Sequence, residues 1–161
     1  MRTPANIARH PIHPMLVAIP IGLWLFSLAC DVIHLAGATS GNWLVVARYT
    51  MVGGIFGALV AALPGFIDML SLPWQLKRVA LVHMAINLTV VGLYVVNALL
   101  RANGAESATA MPYWLSLIAV AMLAVSGWLG GKLVYVHGVA VDTVAPQSVG
   151  LSPGSPRATR P

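Results

Sequence analysis

Residues 79–100 read VALVHMAINLTVVGLYVVNALL, a stretch without a single Asp, Glu, Lys or Arg. A bilayer's hydrocarbon core is crossed by ~20 residues of helix, so this stretch is long enough to span one. Lys77 and Arg78 stand before it and Arg101 follows it. Working outward, three further apolar runs have spanning length, from about Pro14 to Leu35, Leu44 to Leu70 and Tyr113 to Val141. The connections are short, which makes neighbouring spans antiparallel. Inside lipid the backbone must bond to itself, and runs of this length select helices over a barrel. The expected fold is all-α, an antiparallel four-helix transmembrane bundle over residues 14–142. An N-terminal segment, 1–13, precedes it. A tail rich in Pro, Ser and Gly, 143–161, follows and is expected to be disordered.

Composition agrees. Of 161 residues, 58% are hydrophobic and only 8% charged, with a mean hydropathy of +0.84. A soluble domain is ~25% charged. A water-soluble enzyme, a disordered chain and a nucleic-acid module are therefore excluded. The net charge of +5 comes from basic residues that flank the spans and act as topology signals. Arg2, Arg9, Lys77, Arg78, Arg157 and Arg160 share the side of both termini, while Arg101 and Arg48 belong to the other. The positive-inside rule then puts both termini in the cytoplasm of a bacterial inner membrane. Arg2 and Arg9 before an apolar run, with Ser27-Leu28-Ala29-Cys30, faintly resemble a lipoprotein signal. The run starts late and continues to Leu35, so cleavage is not expected. A lone Cys30 makes neither an internal disulfide nor a cysteine zinc cage.

Gly53 with Gly57, and Gly127 with Gly131, have the spacing at which helix backbones approach closely. Pro20 and Pro64 are expected to bend their helices. Ionisable groups in a span are costly and mark candidate sites. Helix three carries His83, Asn87, Tyr94, Asn97 and Arg101 on one face, with Val90 in the gap, so that face is expected to look into the bundle. Asn87, one turn from His83, is placed to fix its ring. Helix one has a shorter stripe of Trp24, Ser27, Asp31 and His34. An Asp31–Arg48 pair across the first hairpin is the economical arrangement, and Asp68 with Lys132 is a second possible pair.

His10, His13, Asp68, His83, Lys132 and His137 gather toward the cytoplasmic side. His83 lies five residues after Arg78 and His137 five before Asp142, at similar depths on antiparallel neighbours. In His10-Pro11-Ile12-His13-Pro14 each histidine precedes a proline, which favours an extended segment. That segment either folds across the bundle mouth or simply caps helix one.

Three functions suit these histidines. The favoured one is b-type haem in a small electron-transfer or redox-partner protein. His83 and His137 are then axial ligands and His13 the substitute. Asn87 orients His83, and Lys132 or Arg78 meets a propionate. The second is a cofactor-free structural or transport subunit. The third is a divalent transition-metal site built from His83, His137, His13, His10 and Asp68. No nucleophile with its base, phosphate loop or Walker motif is present, so an accessory subunit is expected rather than an enzyme.

Together, His10-Pro11-Ile12-His13-Pro14, Gly65-Phe66-Ile67-Asp68, His83 with Asn87, and Leu129-Gly130-Gly131-Lys132-Leu133-Val134-Tyr135-Val136-His137-Gly138 resemble domain-of-unknown-function family 2231. The resemblance covers roughly residues 8–142. It implies a four-helix inner-membrane protein. Some members are linked to Rieske-type iron–sulfur domains, and the family is similar to two-haem membrane cytochromes. It therefore implies redox work with a Rieske-type or cytochrome partner. His34 stands alone on the far side, without a partner for a second haem.

Overall fold

The computed structural model describes residues 2–38, 42–103 and 109–141. The expected tail, 143–161, lies outside the described residues. The chain opens with a small hairpin, β1 (Asn6–Ile7) paired antiparallel with β2 (His10–Pro11). Helices α1 (Ile12–Leu16) and α2 (Ala18–Leu35) follow, and together they make one apolar span, Ile12–Leu35. Next come α3 (Trp43–Leu70), α4 (Trp74–Ala102) and α5 (Met111–Gly131). A π-helical turn at Lys132–Val136 extends α5. Among the described residues, four helical stretches are thus long and apolar enough to cross a membrane. α2 packs on α3, α3 on α4, α4 on α5 and α5 on α2, which closes a four-helix ring. In that ring α2 and α4 are diagonal.

Local chemistry sets the boundaries. Pro11 precedes α1, and Pro14 falls in its first turn, where a missing N–H costs nothing. So His13 is helical rather than extended, while His10 stays in the hairpin. Pro20 has no N–H for the Leu16 carbonyl, which accounts for the break at Val17. Gly37, with φ of +100°, takes the left-handed position that ends α2. Pro73 starts α4 five residues earlier than the hydropathy alone predicts. The fourth span stops at Val136, short of the expected Val141, and Gly138 turns left-handed just beyond it.

The bundle has apolar residues outside and polar ones inside. Phe26, Phe56, Leu63, Leu88 and Ile118 face outward, as lipid requires. Ser27, Asp31, Asn97, Arg101, Ser116 and Ser126 are buried among Trp24, Met51, Val90, Tyr94 and Ala119. Cys30 is fully buried with them. The Trp24 and Tyr94 rings stack at 4.4 Å, 11° from parallel, and join α2 to α4 across the bundle centre. Gly53 and Gly57 pack on Leu23 and Pro20, as their spacing predicts. Gly127 has nothing nearby, so the Gly127–Gly131 packing motif is corrected: Gly130 makes the close approach instead.

Gly54 seats the aromatic stack, because a Cβ there would run into the Trp24 indole. The indole Nε1 also donates to the Met51 carbonyl at 3.2 Å. Gly54→Val is expected to lower stability by ~1–3 kcal/mol, the usual cost of overpacking. Gly127→Val, with open space around it, should lie within ~0.5 kcal/mol of the parent. Fluorescence-detected thermal melts in mild detergent compare the two.

Candidate functional site

Two polar centres lie along the bundle axis. The first is at the end that carries the N-terminus. His13, on α1, places Nδ1 2.8 Å from the Ala61 carbonyl of α3. His83, on α4, places Nδ1 2.9 Å from the Ser126 carbonyl of α5. A carbonyl oxygen only accepts, so each Nδ1 donates its hydrogen, and Nε2 is the ring nitrogen left to accept. The two ring centres are 6.4 Å apart, with planes at 89°. Glycines make the room: a Cβ on Gly65 would be 2.7 Å from His13 Nδ1, and one on Gly130 would be 3.1 Å from His83 Cε1. Asn87 Nδ2 holds His83 from the other side, 3.2 Å from its Nε2 and 2.8 Å from its carbonyl, and donates to Ser126 Oγ at 2.7 Å. The expectation that Asn87 fixes this ring is met.

The second centre is a buried ion pair near the opposite end. Arg101 Nη1 and Nη2 donate to Asp31 Oδ1 and Oδ2 at 2.8 and 2.7 Å, a bidentate fork from α4 to α2. Arg101 Nε donates to Asn97 Oδ1 at 3.0 Å, and Asn97 Nδ2 reaches Ser116 Oγ and the Pro112 carbonyl. The Tyr113 ring lies 5.4 Å from the guanidinium carbon. The expected Asp31–Arg48 pair is therefore corrected. Ala47 is the buried residue on that face of α3, its carbonyl accepting from Ser27 Oγ, and Arg48 lies a further 100° round the helix.

The remaining candidates disperse. His137 is exposed beyond the π-helical turn, so the ring facing His83 is that of His13. His10 turns its Nδ1 to the Ala8 carbonyl. Asp68 is buried and accepts the Ala5 backbone N–H at 2.8 Å, whereas Lys132 is exposed. The suggested Asp68–Lys132 pair is corrected accordingly, because the N-terminal segment folds over this end and satisfies the carboxylate. Arg78 lies over Trp74 at 5.6 Å. Among the described residues, no three His, Cys, Asp or Glu side chains gather within metal-holding reach.

Superposed on these contacts is an internal repeat that sequence reasoning missed. His13, Pro20, Trp24, Ser27 and Asp31 line the inner face of the first span. His83, Val90, Tyr94, Asn97 and Arg101, each 70 residues later, line that of α4. Ala47, Met51, Gly54, Ala61 and Asp68 of α3 have buried counterparts 65 residues later in Pro112, Ser116, Ala119, Ser126 and Leu133. Each histidine bonds the equivalent carbonyl and faces the equivalent glycine. The two hairpins are thus related by a pseudo-twofold axis along the bundle, and the histidine pair straddles it. The detectable signal was the 70-residue spacing itself, supported by Gly22-Leu23 and Gly92-Leu93.

The model of the family described as "Predicted membrane protein (DUF2231)" matches residues 9–143. The chain belongs to that family. The matched region runs from the hairpin turn to just past the last described residue and takes in both polar centres. Neither a curated protein nor a solved structure matches. With its four apolar helices, this DUF2231 chain is a multi-pass membrane protein.

Truncating one partner of a buried pair leaves the other charge uncompensated, at ~3–5 kcal/mol. Arg101→Ala is expected to destabilise by that amount, whereas Arg48→Ala should cost under ~1 kcal/mol. Chemical unfolding in mixed micelles separates the two variants.

Proposed function

We propose that this chain is a haem b-binding electron-transfer subunit, in which His13 and His83 are the residues that would hold the haem. One observation carries the reading. Two imidazoles from diagonal helices, each tied at Nδ1–H to a backbone carbonyl, stand 6.4 Å apart across a pseudo-twofold axis. Ligating histidines characteristically hold the other ring nitrogen in such a bond. The donor set fits a low-spin haem, and Gly65 and Gly130 keep the surroundings small.

Bound haem would supply one-electron transfer. The protein's own part is to aim the rings. When His83 Nε2 is engaged, Asn87 Nδ2 retains Ser126 Oγ as its acceptor. Lys132 and Arg78, exposed at this end, are the cations available to propionates. His13 takes the place that sequence spacing alone gave to His137. The basic residues at this end favour a cytoplasmic location for both termini in a bacterial inner membrane. A Rieske-type or cytochrome protein is the electron-transfer partner this proposal names.

Absorption spectra of the full chain, purified in mild detergent from haem-replete cells, test the reading. A Soret band with sharpened α/β bands on reduction is expected. His13→Ala and His83→Ala should each lose at least about tenfold of the bound haem, a loss on the scale of one ligand's contribution. His137→Ala should retain it. A colourless preparation overturns the proposal and leaves the cofactor-free subunit. Metal analysis of the same sample reads out the divalent-metal alternative.

A further inference from the structure

Where the N-terminal segment folds over the bundle, Arg2, Thr3, Asn6, Arg9, Pro11 and Ala140 line a shallow recess that is open to solvent. Thr3 is only 4% exposed, and its hydroxyl has no hydrogen-bond partner. A buried hydroxyl without a partner is costly, and in a native structure it points to an absent one. The Arg9 guanidinium borders the same recess.

The backbone is strained at this place. Among the described residues, three that are not glycine have left-handed φ: Ala8 at 48°, Arg9 at 69° and Ala140 at 62°. Arg9 and Ala140 line the recess, and Ala8 is the other half of Arg9's turn. A two-residue hairpin turn with both φ positive is ordinarily built from Asn-Gly. Ala-Arg tolerates it only where the surroundings hold it there, a mark of functional loops. The strained turn sets Arg9 at the rim.

The recess lies at the level of lipid headgroups. Its N-terminal wall directly precedes Ile12, where the first span begins, and Ala140 follows Val136, where the fourth ends. Ile7, beside the turn, is 69% exposed, an apolar contact suited to the acyl boundary. A guanidinium fork with a buried hydroxyl donor matches a phosphate oxygen set. We propose that this recess binds a phosphate group, either the phosphodiester of an anionic lipid or a phosphate ion from water.

Native mass spectrometry tests this on the full chain, released from nanodiscs of equal phosphatidylcholine and phosphatidylglycerol. The parent is expected to retain phosphatidylglycerol about tenfold over phosphatidylcholine, and Arg9→Gln or Thr3→Val should bring the ratio near parity. Arg9→Gly is the sharper variant. It relieves the left-handed strain, so the melting temperature should hold or rise while the lipid preference is lost. Titration calorimetry with inorganic phosphate distinguishes the sources. Phosphate binding that competes with phosphatidylglycerol and is lost in Thr3→Val assigns a water-borne ligand, whereas lipid preference untouched by phosphate assigns the headgroup. The proposal is overturned if the parent shows neither lipid preference nor phosphate binding, or if both Arg9→Gln and Thr3→Val leave binding unchanged.

Discussion

Arg101 and Asp31 meet where no water reaches, and both are essentially unexposed. A buried charge pair tolerates that only when nearly every lone pair and proton is used. Here the fork is bidentate, Nε is taken by Asn97, and Asn97 is taken in turn by Ser116 and the Pro112 carbonyl. The demand for satisfaction thus recruits α2, α4 and α5 to one point. It fixes the rotation of α4, because Arg101 turns inward only if Asn97, Tyr94, Val90 and His83 turn inward with it. The position of the histidine at one end follows from the ion pair at the other.

Diagonal contacts fill the bundle axis at three depths. His13 faces His83, Trp24 stacks on Tyr94, and Asp31 grips Arg101. In each case the first-span residue is 70 positions before its partner. Diagonal helices in an up-down ring run parallel, so equal spacing along each keeps the partners level. Lipid offers no hydrophobic drive for helix association. Cross-axis polar and aromatic contacts therefore supply specificity that apolar packing alone would not.

Much of this was legible in the sequence. Four spans follow from hydropathy, and the inward stripe of α4 follows from its 3.6-residue period. The wrong partners came from arguments of proximity along the chain. Arg48 is near Asp31 in sequence, but it lies beside the inward face of α3 marked by Ala47. The His83–His137 pairing assumed that the last helix continued to Val141. In the structure His83 sits against Gly130 and the Ser126 carbonyl. His137 is seven residues past Gly130, roughly 10 Å farther along the axis. The repeat escaped notice because few identities survive between its halves. Burial asks only for size and polarity, so Trp answers to Tyr, Ser to Asn, and Ala47 to Pro112.

The divergence at positions 31 and 101 has a physical cause. A twofold axis brings equivalent positions face to face, so two identical hairpins would oppose carboxylate to carboxylate in a low-dielectric core. Such a pair cannot stay ionised together, and replacing one Asp by Arg converts the conflict into a fork. Imidazoles carry no obligatory charge and raise no such conflict, and at the other end the equivalent positions hold the same residue. The bundle is asymmetric where symmetry would repel and symmetric where the two imidazole rings meet. That distribution follows from the sign of the charges alone. It also explains why the pair is built from His13 and His83, the two histidines that the repeat itself places in register.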